Sequence, residues 1–239
     1  MPSTSAISDP GRCRVLITSG PTHEAIDAVR YLANRSSGRM GIALAEAAAN
    51  RGMPTTLLLG PTHLQWPQSA GSLPNSSQTR LVRFQSTADL QRLIEEHWPN
   101  PEVLIMAAAV ADSRPATDSE RPAGKLRRTG EKLTLTLEPT PDLLAALARH
   151  TRPDQTVIGF ALEPDEQLIE SAIEKLSRKQ LDAIVANSLE TMDAQDVTAT
   201  VLLRDGSILE APRSIPKVAF ATWLLDHLPT SRALPRNTR

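Results

Sequence analysis

Short apolar runs alternate with amphipathic segments along most of the chain. The apolar runs predict strands, and residues 40, 43, 44, 47 and 48, which recur at helical spacing, predict a helix after the first strand. Strands are expected at residues 15–18, 54–60, 81–84, 102–110, 156–161 and 182–187. Helices are expected from about Ser37, Thr87 and Pro141 and over residues 165–180 and 217–228. This alternation predicts an α/β fold, doubly wound around a mostly parallel, Rossmann-like sheet.

Two further stretches alternate apolar and polar residues one by one. Residues 132–137 (KLTLTL) predict a half-exposed strand, and residues 197–203 and 207–209 predict a hairpin that turns at Asp205-Gly206. We expect these strands to form a small protruding antiparallel β element. Because their edges would be unpaired in a single chain, the pattern favours a homodimer in which the partner covers them.

The two ends of the chain lack this patterning. We expect residues 1–12 to be a disordered lead, residues 13–228 to form one domain, and residues 229–239 to be a tail. The formal net charge of −1 argues against a nucleic-acid or membrane-surface binder, and no apolar run is long enough to span a membrane. With no signal-peptide core in the lead, a cytoplasmic location is the default expectation. Cys13 is the only cysteine, which excludes an internal disulfide and a cysteine-based metal site.

The candidate site begins in the connection between the first strand and its helix. This connection has about 18 residues, several times the usual length, and such loops are commonly functional. It ends on Ser36-Ser37-Gly38 at the predicted helix N-terminus, where unpaired N–H groups attract anions. Arg35 and Arg39 add positive charge there. The pattern favours a phosphate or nucleotide site, with an ordinary connection capped by Ser37 as the alternative.

The cations of the helix predicted over residues 165–180 lie on different faces of the helix. Lys175 and Lys179 lie at one edge of the apolar stripe formed by residues 168, 169, 172, 173 and 176, whereas Arg178 lies opposite the stripe, beside acidic residues. The two lysines are candidates for binding a polyphosphate, and lysines that merely extend along apolar surface are the alternative. Arg178 is a poor ligand candidate.

Familiar cofactor and metal signatures are absent from the sequence. No Gly-x-x-x-x-Gly-Lys-Ser/Thr loop occurs, and no Gly-x-Gly-x-x-Gly loop follows the first strand, which argues against a dinucleotide-dependent oxidoreductase. The five histidines show no metal-ligand spacing, and only His23 lies in the candidate site. Asp112 follows a buried strand at the edge where ligands bind; it can hold a ligand hydroxyl or a metal-bound water, or simply cap its loop.

Six motifs occur in a fixed order along the chain. They are GPTHEAIDAVRYLANRSSGRMG (20–41), AAAVAD (107–112), GKLRR (124–128), PTPDLL (139–144), IGFALE (158–163) and DAIVAN (182–187). Together they resemble the phosphopantothenoylcysteine synthetase family of coenzyme A biosynthesis, and the resemblance runs from about residue 14 to residue 228. It implies a Rossmann-like core, a homodimer and an enzyme, a phosphopantothenate–cysteine ligase.

The resemblance also implies the reaction and its participants. CTP, with ATP as the alternative, would activate 4′-phosphopantothenate to an acyl-nucleotide with release of pyrophosphate, and cysteine would then displace the nucleotide monophosphate. Mg²⁺ would bridge phosphate oxygens without a dedicated protein site, and no flavin is expected. Many family members are fused to a flavin-dependent decarboxylase. Because none of the six motifs belongs to it, we expect a stand-alone synthetase with a separate decarboxylase as a possible partner.

The same resemblance assigns roles to individual residues. Asn34 would hold the acyl-nucleotide, and Lys125 would neutralise charge while it forms. The nucleotide-binding candidates are Gly20, Met106, Ala107, Ala108, Asp112, Lys125, Pro141, Asp142, Leu143, Leu144, Phe160, Lys175 and Lys179. The candidates for the phosphate and acyl group of the substrate are Asn34, Arg35, Ser36, Ser37, Gly38, Arg39 and Asn187.

Two motifs depart from the family pattern. The usual Lys-x-Lys-Lys is Lys125-Leu-Arg-Arg here, which leaves the contacts of Arg127 and Arg128 open. Leu162 and Pro164 replace smaller or polar residues at the edge of the predicted nucleotide pocket. Two other classes of function stay open as alternatives: a Rossmann-type oxidoreductase that uses NAD(P) or flavin, and a nucleotide-binding protein without catalytic activity.

Overall fold

The computed structural model describes residues 13–64, 66, 79–116, 124–125, 130, 132–148, 150–189, 192 and 194–228. Within them, the strands in chain order are β1 (Val15–Ser19), β2 (His23–Ala25), β3 (Tyr31–Ala33), β4 (Thr55–Leu59), β5 (Thr79–Arg83), β6 (Val103–Met106), β7 (Ser113–Pro115), β8 (Leu137–Pro139), β9 (Thr156–Glu163), β10 (Ala183–Ser188), β11 (Asp196–Val197), β12 (Ala199–Leu203), β13 (Ile208–Glu210) and β14 (Ile215–Pro216). The α-helices are α1 (Arg39–Asn50), α2 (Thr87–His97), α3 (Leu143–Ala148), α4 (Leu168–Arg178) and α5 (Lys217–His227). None of these helices is both long and apolar enough to cross a membrane.

In the part of the chain that the structure describes, the main sheet has the strand order β13-β12-β10-β9-β6-β1-β4-β5. Strands β5, β4, β1, β6, β9 and β10 run parallel, and β12 and β13 run antiparallel at one edge. The predicted α/β class with a mostly parallel, Rossmann-like sheet is therefore confirmed. The chain winds outward from β1 in both directions, first to β4 and β5 and then to β6, β9 and β10. Ligands of such sheets bind at the carboxyl edge near this switch point.

Both faces of the sheet are covered, which explains why its strands are apolar on both sides. Val15 and Ile17 of β1 pack on one face, which α1 and α5 cover, whereas Leu16 packs on the other face with residues of α2, α3 and α4. The alternation follows from the two-residue period of a strand. The start of α2 is marked by local sequence, because Ser86 and Asp89 form a capping box there.

The start of α1 differs from the prediction. The helix begins at Arg39, and its N-cap is Gly38, which has a left-handed backbone (φ 78°) and makes no side-chain capping bond. Ser37 is therefore not the cap. Instead, the Ser19 hydroxyl donates to the Gly38 carbonyl at 2.8 Å and ties the helix start to the end of β1. The alternative interpretation, an ordinary connection capped by Ser37, is therefore wrong about the cap, because the left-handed turn at this position favours a glycine.

Two of the predicted β elements also differ from expectation. Residues 132–136 have no strand structure, and only β8, which pairs with β7 in a small separate antiparallel sheet, follows them. The predicted hairpin forms as β12 and β13, but β12 pairs with β10, so the hairpin extends the main sheet and does not protrude from it. An alternation of apolar and polar residues shows which side chains would share a face of a strand. It does not show which strand the segment pairs with, because the tertiary structure decides that.

The helix predicted over residues 165–180 is shorter and more exposed than expected. It starts with a 3₁₀ turn (Asp165–Gln167) and continues as α4. Ala172 is buried, but Ile169 and Ile173 are 38% and 53% exposed. Only part of the apolar stripe of the helix is buried against the sheet, and the rest is exposed.

Candidate active site

A cavity of about 830 Å³, the first cavity, lies over the carboxyl ends of β6, β9 and β10. It brings together nearly all of the residues predicted for the site. Those that line it are Asn34, Arg35, Ser36, Ser37, Gly38, Arg39, Met106, Ala107, Ala108, Asp112, Pro141, Asp142, Leu143, Leu144, Phe160, Lys175, Lys179 and Asn187. Their positions along the sequence span more than 150 residues, and the parallel sheet brings them to one edge.

Hydrogen bonds join the loop after β1 to the loop after β6. The Ala109 amide donates to the Gly20 carbonyl at 3.0 Å, and the Thr22 amide donates to the Ala109 carbonyl at 3.2 Å. The Asn34 side-chain amide donates to the Val110 carbonyl at 2.9 Å. These bonds hold the two loops side by side at the carboxyl edge of the sheet. Gly20 does not line the first cavity; it has a left-handed backbone (φ 82°) and supports the loop that does.

A β-hairpin inside the first loop was not predicted. Strands β2 and β3 pair antiparallel across a turn in which the Asp27 carboxylate accepts from the Val29 and Arg30 amides at 2.8 and 2.7 Å. The hairpin holds the chain that leads directly to Asn34. An aspartate that can bond to amides two and three residues further on is a recognised turn signal, and it was the sequence feature that could have revealed this hairpin.

A buried carboxylate anchors the same hairpin. Glu24, 6% exposed, accepts from the backbone amide of Thr87 at 2.8 Å and from the Thr87 hydroxyl at 2.7 Å. Thr87 is the first residue of α2, so the negative charge of Glu24 sits at a helix N-terminus, where it is stabilised. The hydroxyl of Thr22, beside it, accepts from the Ala111 amide at 2.9 Å. These bonds fix the hairpin, α2 and the loop after β6 relative to one another.

The two lysines predicted to meet a polyphosphate both line the first cavity, and each is paired with a carboxylate. Lys175 donates to Glu163, and this bond lowers the pKa of the Glu163 carboxyl below its ordinary value. Lys179 lies 3.1 Å from Asp142, whose side chain also accepts from the Ala145 amide in the first turn of α3. Both ammonium groups of the first cavity therefore lie next to carboxylates, and a polyphosphate would have to replace these carboxylates as their partner.

Arg178 lies near two carboxylates, those of Glu174 and Asp142. It lies 3.8 Å from Glu174, as the predicted one-turn ion pair requires, and 3.8 Å from Asp142 at the border of the first cavity. The side chain is more than half exposed, at 56%. Arg178 lines the first cavity, so the structure places it closer to the cavity than its position on the helix opposite the apolar stripe suggested.

Comparison with known proteins identifies the family. A model of the DNA/pantothenate metabolism flavoprotein C-terminal domain matches residues 11–230. The chain belongs to this family.

The chain is also similar to individual proteins and to solved structures. The chain is 37% identical over 200 residues to the coenzyme A biosynthesis bifunctional protein CoaBC of Vibrio cholerae, with 81% of this chain and 47% of the relative covered. It is 42% identical over 177 residues to a cysteine/cysteine sulfinic acid decarboxylase of an unknown prokaryotic organism, with 74% and 46% covered. A crystal structure of the C-terminal domain of a CoaBC protein matches with a TM-score of 0.72 at 33% identity, covering 91% of this chain and 95% of that one.

These matches confirm the resemblance that the six motifs indicated. The chain spans about half the length of the curated relatives that it matches. In this member of the DNA/pantothenate metabolism flavoprotein C-terminal domain family, Leu162 lines the first cavity and is 37% exposed, and Pro164 directly precedes the 3₁₀ turn. The two departures from the family pattern therefore lie at the cavity border and at a helix start.

One of the cations predicted for the site lies outside the first cavity. Lys125 is exposed and does not line it, and Arg127 and Arg128 lie outside the described residues. Lys217, which no motif singled out, does line the cavity and donates to the Ala194 carbonyl at 2.7 Å. It begins α5, and a lysine at a helix start gave no sequence signal for a ligand site.

The remaining reactive side chains of this family member are not positioned for chemistry in the first cavity. Burial, with a smaller effect of Glu102, raises the pKa of the Cys13 thiol to about 11, so the thiol stays protonated at neutral pH. His23 stacks on Tyr31 at 3.7 Å, and burial lowers its pKa. Among the described residues, no group of three or more histidine, cysteine, aspartate or glutamate side chains could hold a metal ion.

Proposed function

We propose that the protein joins 4′-phosphopantothenate to cysteine in a CTP-dependent reaction, as a phosphopantothenate–cysteine ligase of coenzyme A biosynthesis. The observation that carries this proposal is the convergence of Asn34, the Ser36-Ser37-Gly38 turn and two lysines on one cavity. Family membership supports it, as does the match to the C-terminal domain of a CoaBC protein over 95% of that domain.

In the first step, the carboxylate of the acid attacks the α-phosphate of CTP. A P–O bond forms to the acid, the bond to the β-phosphate breaks, and pyrophosphate leaves with the electron pair. Negative charge builds on phosphate oxygens, so cations already in place contribute most of the stabilisation. Lys175 and Lys179 would bind the triphosphate, and Lys125 would neutralise charge as the acyl-cytidylate forms. Lys125 is exposed, so this role requires its segment to approach the first cavity when ligands bind.

In the second step, the amine of cysteine attacks the acyl carbon. The C–N bond forms, the C–O bond to the phosphate breaks, CMP leaves, and the nitrogen releases a proton. The Asn34 amide would polarise the acyl carbonyl. One N–H of that amide is engaged by the Val110 carbonyl, which fixes its orientation, and the second N–H would serve the acyl oxygen.

Asp112 fits a Mg²⁺ ion that is held mainly through the nucleotide. It is exposed and lines the first cavity, whereas Asp142 is paired with Lys179. Mg²⁺ in such enzymes binds one or two carboxylates together with substrate phosphates and water, so one available carboxylate is enough. When bound, the ion would neutralise charge on phosphate oxygens. The nucleotide base would lie near Leu143, Leu144 and Phe160.

The assembly and the cellular context follow from the same proposal. Three leucines of the segment 132–139 are exposed, Leu133 at 57%, Leu135 at 41% and Leu137 at 48%. Exposed apolar side chains at every second position favour burial by a partner, so we propose a homodimer that uses this segment. We also propose a cytoplasmic location and a separate decarboxylase that takes the product.

The decisive experiment measures pyrophosphate release from each of the four nucleoside triphosphates, with 4′-phosphopantothenate and cysteine added in turn. We expect release that requires the acid and is fastest with CTP, and formation of the amide only when cysteine is present. CTP binding without pyrophosphate release would instead indicate a nucleotide-binding protein without this activity. Equal rates with ATP and CTP would contradict the proposed nucleotide preference but not the ligase reaction.

A further inference from the structure

The first cavity extends over both faces of the sheet. Leu143 and Leu144 of α3 pack in the core on the face that α2, α3 and α4 cover, and Lys175 and Lys179, on α4 and at its end, line the cavity from this side. Phe160 of β9 packs against the core on the opposite face, which α1 and α5 cover. The two lysines proposed to bind the triphosphate therefore leave the α5 side of the cavity to another ligand.

We call four of the described lining residues the α5 wall: Leu162, Asn187, Met192 and Lys217. Leu162 follows Phe160 by two positions in β9, so the period of the strand places both on the same face. Asn187 of β10 is the register partner of Leu162. Met192 belongs to the segment after β10, and Lys217 is the first residue of α5.

The Lys217 ammonium is held at the cavity by contacts with the segment before β11. It donates to the Ala194 carbonyl at 2.7 Å, and the backbone amide of Lys217 donates to the Gln195 carbonyl at 3.0 Å. Directly before α5, Pro216 of β14 pairs with Asp196 of β11. Helix α5 has 11 residues and no acidic residue in its first turn, so the positive end of its dipole adds to the charge of Lys217.

The α5 wall combines one cation with apolar surface. The carboxylates among the described lining residues come from other segments, since Asp112 lies between β6 and β7 and Asp142 directly precedes α3. The positive charge of Lys217 favours an anionic group at this wall. Leu162, one of the two departures from the family pattern, and Met192 add apolar surface beside it. A small ligand with a carboxylate and an apolar side chain matches this wall.

Cysteine is the reactant of the proposed reaction that has these properties. Its carboxylate takes no part in bond formation, and its amine must reach the acyl carbon beside Asn34 in the same cavity. We propose that the α5 wall binds the amino-acid substrate, with Lys217 bound to the α-carboxylate and with Leu162 and Met192 in contact with the side chain that carries the thiol. This inference rests on the proposed ligase function.

The apolar part of the wall gives a reason for the choice of cysteine over serine. A hydroxyl placed against Leu162 and Met192 loses its hydrogen bonds to water and gains no partner from these two side chains, whereas a thiol loses much less. We expect Leu162→Ala to lower the preference for cysteine over serine by about threefold or more, because water can enter the space and hydrate the hydroxyl. Amide formation with each amino acid, at saturating CTP and acid, measures this preference.

The sharpest test of Lys217 compares cysteine with cysteamine, which has the amine and the thiol but no carboxylate. Lys217→Gln keeps a donor for the Ala194 carbonyl and removes the charge. We expect kcat/KM for cysteine to fall by about 10- to 100-fold, the effect of losing a charge-assisted contact, and kcat/KM for cysteamine to change by less than about twofold. Lys217→Arg should recover most of the rate with cysteine, because it restores the charge.

Arg213→Met is the matched control. Arg213 is an exposed cation four residues before Lys217, and it lines neither the first cavity nor a second cavity of about 780 Å³ that borders the loops after β4 and β5. Its replacement should change neither rate. Equal losses with cysteine and cysteamine in Lys217→Gln would overturn the proposed carboxylate contact. A higher KM for CTP in Leu162→Ala, with the same preference for cysteine over serine, would return Leu162 to the nucleotide and refute its contact with the thiol side chain.

Saturation-transfer NMR with cysteine and with cysteamine tests the α5 wall independently of turnover. We expect a signal for cysteine in the parent protein that is lost in Lys217→Gln and kept in Arg213→Met. Equal cysteine signals in the parent protein and in Lys217→Gln would contradict the inference. A cysteine signal that depends on Lys217, in a parent protein that releases no pyrophosphate from any nucleoside triphosphate, would support the site and refute the ligase function.

Discussion

At the scale of single residues, two lysines of the first cavity are paired with carboxylates before any ligand binds. Lys175 and Lys179 are paired with Glu163 and Asp142, so a triphosphate has to compete with two carboxylates. Pairs that are partly exposed are weak, with typical contributions of about 0.2–1 kcal/mol, so this competition lowers nucleotide affinity only modestly. It would also keep the site from holding other anions tightly.

Replacement of Glu163 tests this competition. Glu163→Gln should lower the KM for CTP by about two- to fivefold, because Lys175 no longer has a carboxylate partner. Glu170→Gln, on the exposed face of α4, is the control and should have no effect. Since Lys175 lowers the pKa of the Glu163 carboxyl, the group stays ionised until the pH falls below the ordinary glutamate range, and the difference should be constant between pH 6 and pH 8. A higher KM in Glu163→Gln would show that Glu163 positions Lys175 for the nucleotide.

The two catalytic candidates should affect different half-reactions. Lys125→Gln should suppress pyrophosphate release itself, because charge on the α-phosphate is no longer neutralised. Asn34→Asp replaces a donor amide with an acceptor-only carboxylate, so it should still release some pyrophosphate but transfer little acyl group to cysteine. The loss of one such donor costs about 2.7–4 kcal/mol, or about two to three orders of magnitude in rate. The measurement pairs a pyrophosphate assay with an assay for the cysteine adduct. Normal pyrophosphate release in Lys125→Gln, together with a parental rate of adduct formation in Asn34→Asp, would refute both roles.

At the scale of the element, the first turn of α1 depends on how closely it approaches β1. A Cβ on Gly41 would lie 2.4 Å from Ser19 Cβ and 2.9 Å from the Thr18 carbonyl oxygen, shorter than any normal contact. The glycine therefore lets the helix N-terminus reach the sheet edge, where its amide groups border the first cavity. The structural reason for this glycine is its close contact with β1.

Gly41→Ala should accordingly destabilise the protein. We expect a loss of about 1–3 kcal/mol in the free energy of unfolding, since α1 must move away from Ser19, and a higher KM for CTP because the helix start shifts with it. Urea denaturation measures the first effect. Gly124→Ala is the control for stability: a Cβ there meets no atom of the described residues within 4 Å, and the expected change is under about 1 kcal/mol. Equal stability of Gly41→Ala and the parent protein would show that α1 adjusts freely.

At the scale of the whole molecule, the surface retains apolar side chains that a monomer would leave in water. The leucines at 133, 135 and 137 belong to one extended stretch, and β13 leaves one edge of the main sheet unpaired among the described residues. Either feature could contact a second copy of the chain. The leucine stretch is the stronger candidate because it combines exposure with regular spacing.

Light scattering tests the homodimer directly. The parent protein should have twice the mass of one chain at micromolar concentration, and Leu135→Glu should shift it toward the monomer, because a charge in a buried apolar contact is unfavourable. Val218→Glu changes a side chain that is 61% exposed on α5 and should leave the mass unchanged. A fully active parent protein with the mass of one chain would refute the dimer.

The sequence by itself determined the class of the fold, the order of most strands and helices, and the identity of most residues in the first cavity. It could do so because both kinds of information are local: an apolar run or a helical stripe is set by neighbours in the chain, and each motif carries its own residues. The prediction of a strand at residues 132–136 was wrong, because a strand needs a partner strand and no local pattern reveals that partner. The hairpin β12–β13 was predicted as a unit, but its place in the main sheet was not.

Only the tertiary structure decided how these residues face one another. It paired Lys175 with Glu163 and Lys179 with Asp142, placed the cap of α1 at Gly38, and buried Glu24 at the start of α2. These features join residues that are 12 to 63 positions apart or follow from close approach of backbones. Their energies depend on distance in space, and the packing of the whole chain sets that distance.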